Sequence, residues 1–158
     1  MLLVPAHAVV LARVHGELLV LGAVPTLVGG FALRLLPRFF GAPPPRGVWP
    51  ALVLAPLSIA AVLRVAAALA GPAGDPLRLI AAYLTLAGAV SFALVVARLL
   101  RRHLSGRSAQ AGLFLLAACW LPAAAVLALT GPQVPRVIAP DALLWGFAAG
   151  PVLAVFPR

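Results

Sequence analysis

The chain has 158 residues, of which 64% are hydrophobic and 9% charged, with a formal net charge of +9. Soluble domains carry about 45–50% apolar and about 25% charged residues, and a water-soluble fold of this size could not hide so much apolar surface. The composition therefore excludes an ordinary soluble domain and indicates an integral membrane protein, an all-α bundle of transmembrane helices.

All twelve basic residues are arginine, and lysine and asparagine are absent. In a soluble protein a charge of +9 would point to nucleic acid. Here the arginines cluster between apolar runs, where membrane orientation accounts for them, so no nucleic-acid partner is expected. One cysteine, Cys119, allows no internal disulfide and no cysteine-based metal cluster. It reads as an inert, small apolar residue in mid-span. "AHA" at Ala6 to Ala8 mimics a signal-peptide cleavage site, but the apolar run before it is too short and lacks a basic start.

A helix needs about 20 apolar residues to cross a bilayer core. Read in chain order, five spans are expected in a single transmembrane domain covering residues 1–158: 14–36, 48–69, 79–97, 109–129 and 139–156. The segments between them, "PRFFGAPPPRG", "GPAGDP", "RRHLSGRS" and "TGPQVP", carry turn chemistry. Prolines within spans (Pro25, Pro56, Pro122, Pro151) are tolerated in lipid, where neighbouring helices satisfy the freed carbonyls. Eight arginines follow odd-numbered spans and four lie on the other side, while Glu17, Asp75 and Asp141 all fall on the side with fewer arginines. This asymmetry predicts an outside N-terminus and a cytoplasmic C-terminus. Arg34 and Arg64 lie within spans but near their ends, so both are expected to snorkel to the headgroups.

On an ideal helix His15, Gly22, Thr26 and Gly29 share a narrow stripe, with Gly30 at its edge. Gly22, Thr26 and Gly30 form a small-xxx-small pattern for close helix approach, which places His15 on the packing face. Glu17 falls opposite His15, so the two would have separate partners unless the helix starts after Glu17. The fifth span repeats the device with Ala142, Gly146, Gly150 and Ala154. Gly30 to Pro37 and Gly150 to Pro157 have the same spacing; this is either a repeated four-helix unit or the ordinary composition of a helix exit.

His15 is the best candidate ligand for a haem or metal; otherwise it is hydrogen-bonded to a carbonyl or to headgroup water. Glu17 is a second candidate, or simply an acid that favours the positive end of its helix. Asp141 reads the same way. His7 lies about 12 Å from His15 along a continuous helix and would share a centre with it only if Pro5 or Gly16 bent the chain. His103, among four arginines, reads as a solvated loop residue. There is no GxGxxG, P-loop, CxxC, HExxH or GxSxG motif and no paired carboxylate at mid-membrane, so no catalytic residue and no enzymatic activity is assigned.

"HGELLVLGAVPTLVGGFALRLLPRFFGAPPPRG" resembles the first helix and exit loop of the NnrS family, polytopic membrane proteins related in style to haem-copper oxidase subunits. His15, Leu18, Gly22, Gly30, Leu36, Pro37, Phe40 and Gly41 fill the family's positions. "DALLWGFAAGPVLAVFPR" resembles a later helix of that family. Glu17 stands where the family's first motif has a second histidine, and Asp141 stands near where the later helix brings its histidine. The family's chains are much longer, so the resemblance implies a fragment or a degenerate member. It implies haem or copper binding, a link to nitric-oxide or denitrification stress, and the bacterial cytoplasmic membrane. With three histidines in the chain, the other ligands of a binuclear centre would have to come from elsewhere. Two further readings stay open: half of a small-solute transporter, and a non-catalytic membrane subunit that acts in a homo-oligomer or with a larger membrane partner.

Overall fold

The computed structural model describes residues 8, 11, 14–16, 18–103 and 108–129. The expected fifth span at 139–156 lies outside them. Among the described residues every regular element is helical and none is a strand. A π-helical turn at Leu19–Ala23 leads into α1 (Val24–Phe39). Helices α2 (Trp49–Leu69), α3 (Asp75–His103) and α4 (Ser108–Leu129) follow, with a 3₁₀ turn at Gly71–Gly74 between α2 and α3. Among the described residues three helices are long and apolar enough to cross a membrane: Val14–Phe39, Trp49–Leu69 and Gly71–Arg101. In α4 the apolar stretch Gly112–Val126 is shorter. These lengths are compatible with an integral membrane protein.

Local chemistry sets the boundaries. Pro25 has no N–H to offer the Leu21 carbonyl and its ring crowds that carbonyl. Just before it, the Val24 N–H donates to Leu19 O, five residues back, which makes the turn π rather than α. The far end of α1 closes in a Schellman arrangement. The Gly41 N–H donates to Arg38 O (3.3 Å) and the Ala42 N–H to Pro37 O (2.7 Å). Gly41 sits at φ +63°, which costs glycine nothing. Three prolines then hold the loop extended until Gly47 turns it into α2, with Pro50 in the first helical turn. At the start of α3, Arg78 Nη1 pairs with Asp75 Oδ1 at 2.6 Å, one turn apart.

Packing follows one repeated spacing. The buried residues of α2 are Val53, Leu57, Ala60, Arg64 and Ala67. Those of α3 include Ala81, Thr85, Gly88, Phe92 and Val95. Both sets advance by four, three, four, three, the spacing of a helix–helix seam. Small residues bring the backbones close. A Cβ on Gly88 would lie 2.8 Å from Leu57 Cγ and 3.0 Å from the Val53 carbonyl oxygen. One on Gly22 would lie 2.8 Å from Ala61 Cβ. Helix α1 adds Ala32, Leu33 and Leu36 to the core, and α4 adds Phe114, Ala118, Leu121 and Ala124. Phe40 meets Phe114 edge to face, with ring centroids 5.9 Å apart.

Many large apolar side chains face outward, although Leu57, Phe92, Phe114 and Leu121 are buried in the core. Phe31, Val62, Leu69, Leu79, Tyr83 and Leu94 are all more than half exposed. A water-soluble monomer rarely exposes contiguous apolar surface on this scale. Close backbone approach at Gly22 and Gly88, with large apolar side chains left on the outer surface, suits lipid, where helices associate through van der Waals contact rather than through the hydrophobic effect.

Candidate functional site

Two places in the bundle hold polar groups with built surroundings. The first is Arg64. It continues the α2 seam one helical turn after Ala60 and is 7% exposed. Its Nη2 donates to Thr85 Oγ1 on α3 at 2.8 Å, and that hydroxyl donates to the Ala81 carbonyl at 2.8 Å. A single hydroxyl thus accepts from one helix and donates within its own. This corrects the snorkelling expectation for Arg64. The residue lies on the seam rather than on the outer face, and Thr85, also buried, supplies an acceptor inside the bundle. Arg34, by contrast, is exposed. Thr85 escaped notice in the sequence because hydroxyl residues are common in apolar helices; its spacing relative to Ala81 and Gly88 was the available signal.

The second place is the arginine-rich end of the bundle. Pro43, Pro44, Pro45, Arg46, Trp49 and Arg98 are among the residues lining a cleft of about 340 Å³ between the α1–α2 loop and the last turns of α3. The Arg98 guanidinium carbon lies 5.4 Å from the centroid of the Trp49 ring, within cation–π range. Arg34, Arg38, Arg46, Arg98 and Arg101 are all exposed. Among the described residues the single carboxylate side chain is that of Asp75, at the opposite end and paired with Arg78.

The histidine site is arranged differently from the ideal-helix expectation. His15 is exposed, as are Leu18 and Leu19, whereas Gly22, Pro25 and Gly29 are buried. The packed stripe stops at Gly22. The π turn between them inserts roughly one residue of rotation, about 100°, so the phase of α1 does not carry back to His15. Thr26 Oγ1 donates to the Gly22 carbonyl at 2.8 Å. A Cβ on Gly29 would meet Leu57, Leu54 and Val53 at 3.9–4.0 Å, and one on Gly30 would meet Leu54 at 3.9 Å. Cys119 is exposed. His7, Glu17, Gly146 and Gly150 lie outside the described residues.

Among the described residues no group of three or more His, Cys, Asp or Glu side chains is placed to hold a metal ion. His15 is the one histidine whose side chain is described; His103 ends α3. Compared with family models, with curated proteins and with solved structures, the chain matches none.

Proposed function

We propose that the chain is an integral membrane subunit of the NnrS type: a fixed helical scaffold in the bilayer, with the N-terminus outside. In this reading it offers His15 as one ligand to a haem iron or copper ion completed by other residues or by a larger membrane partner. The observation that carries the membrane reading is the presence of three helices long and apolar enough to cross a membrane. The haem or copper reading rests on the sequence resemblance and on the exposed imidazole of His15. The subunit reading is preferred to half of a transporter because the helices are tied rather than free to slide. Gly22 leaves no room for a Cβ beside Ala61, Gly88 leaves none beside Leu57, and Arg64 is bonded across to Thr85.

Two measurements test this. The protein is expected to stay in the pellet when membranes are washed with alkaline carbonate; release into the supernatant refutes the membrane reading. Protein purified from cells supplied with haem and copper is expected to show either a Soret band or bound copper, lost in His15→Ala. Absence of both from the wild type refutes the ligand reading and leaves the membrane reading standing. A cysteine placed at Pro44 in a Cys119→Ala background is expected to resist membrane-impermeant thiol reagents added to intact cells. Labelling from outside would reverse the assigned orientation.

A further inference from the structure

The geometry points to the cleft at the arginine-rich end as a site for the phosphate of an anionic phospholipid headgroup. This goes beyond the proposed function and shares with it only the membrane location.

Charge comes first. Five exposed arginines stand at or near this end of the bundle. The C-termini of α1 and α3 also lie there, but each contributes only about half a negative charge. No described carboxylate offsets the rest, because Asp75 sits at the other end with Arg78. The three acids of the whole sequence are Glu17, Asp75 and Asp141.

Shape comes second. The cleft, at about 340 Å³, is at the small end of the roughly 300–1,000 Å³ of ligand pockets. Arg46 approaches from the loop and Arg98 from α3, and both line it. Arg98 is steadied over the Trp49 ring. The prolines beside Arg46 fix φ through that stretch, so the arginine is presented from a stiff strand of chain rather than a floppy one. The start of α2 also borders the cleft through Trp49, and no side chain caps that helix.

Chemistry decides among anions. The remaining walls are apolar, with Val95 and Leu99 from α3 beside the prolines. Leu94, on the adjoining surface of α3, is 58% exposed. A small free anion would use the arginines and leave the apolar walls wet. A phospholipid uses both: the phosphate meets Arg46 and Arg98, and the glycerol and first acyl carbons meet the apolar wall. Tryptophan and arginine at a helix end are also the residues expected at headgroup depth.

The test is native mass spectrometry of the full chain released from mixed micelles containing equal phosphatidylglycerol and phosphatidylcholine. The expected result is preferential retention of phosphatidylglycerol, reduced roughly fivefold for each arginine removed in Arg46→Gln and Arg98→Gln. Arg78→Gln, at the other end, is expected to leave the preference unchanged. Arg46→Gln alone keeps the Arg98–Trp49 contact and must by itself lower the preference, which guards against a misfolded double variant. Equal retention of the two lipids, or a preference untouched by Arg46→Gln, overturns the site while leaving the membrane reading intact. Displacement of phosphatidylglycerol by millimolar inorganic phosphate overturns the lipid assignment in favour of a soluble phosphate ligand.

Discussion

The bond between Arg64 and Thr85 can be weighed by a double-mutant cycle. The perturbations are Thr85→Val, Arg64→Met and the pair together. Valine matches threonine in volume, so at a position 2% exposed it removes the hydroxyl without opening a cavity. What is lost is a 2.8 Å bond from an ionised donor. Hydrogen bonds to charged groups contribute about 1.5–3 kcal/mol in water-soluble proteins. Between membrane helices the measured average is nearer 0.6 kcal/mol, with a maximum of about 1.7. A short, charge-assisted, buried bond belongs near the top of that membrane range, so a coupling of about 1.5 kcal/mol is expected, roughly tenfold in the folding equilibrium. The single-variant costs include every other contact each side chain makes, and the coupling isolates this pair. The assay is unfolding in mixed micelles by increasing sodium dodecyl sulfate, followed by helical circular dichroism. Thr85→Ser, which keeps the hydroxyl, is expected to retain the coupling and to lose about 0.8 kcal/mol for its methyl group. A coupling within about 0.3 kcal/mol of zero, the usual scatter for independent sites, would refute the reasoning. Arg64 would then reside at the headgroups, as its depth alone suggests.

The same titration checks the close contacts. Gly22→Ala places a Cβ 2.8 Å from Ala61 Cβ, two atoms fixed to backbone, and is expected to cost about 1–3 kcal/mol, partly recovered by Ala61→Gly. Gly88→Ala is expected to cost a similar amount, about 1–3 kcal/mol. Adding Leu57→Ala should not restore it, because the Val53 carbonyl 3.0 Å away remains. Gly41→Ala meets nothing within 4 Å, so its cost is conformational: about 1–2 kcal/mol for a side chain at φ +63°, and less for Gly41→Asn. An Asn variant as costly as the Ala variant would show that something other than backbone conformation is lost.

Helix existence was the most legible property, because about 20 consecutive apolar residues have few other uses. Helix ends were less legible. Hydropathy placed the third span at 79–97, whereas α3 runs from Asp75 to His103. The added turns are charged, and the first is held by the Asp75–Arg78 pair, so hydropathy marks the lipid-length stretch and not the helix. The phase of the first helix departs from the sequence expectation for a different reason. A stripe at 100° per residue assumes a regular helix through Pro25, and the π turn just before that proline shifts the phase between Gly22 and His15. The cleft involves Pro43, Pro45, Arg46, Trp49 and Arg98, which are brought together by the antiparallel return of α3; no local pattern encodes that meeting.

Arg34 and Arg64 show why phase matters more than depth. Each lies five residues before the C-terminal end of its helix, Phe39 for one and Leu69 for the other. Each is the same residue in the same kind of apolar surroundings, so a rule based on depth must treat them alike. The structure separates them: Arg34 is exposed and Arg64 is 7% exposed. Position on the seam makes the difference. Arg64 follows Leu57 by seven and Ala60 by four, which keeps it on the buried face. Arg34 follows Ala32 by two, a rotation of about 200° that carries it away from the face shared by Gly29, Ala32 and Leu36. In a helix that is apolar all round, no polar face marks the outside, so phase has to be taken from the small residues. Ala60 and Ala67 on α2, with Ala81 and Gly88 opposite them on α3, trace that line in the sequence. An arginine on it has only the bundle interior to occupy, and the interior must then provide an acceptor, the part that Thr85 plays.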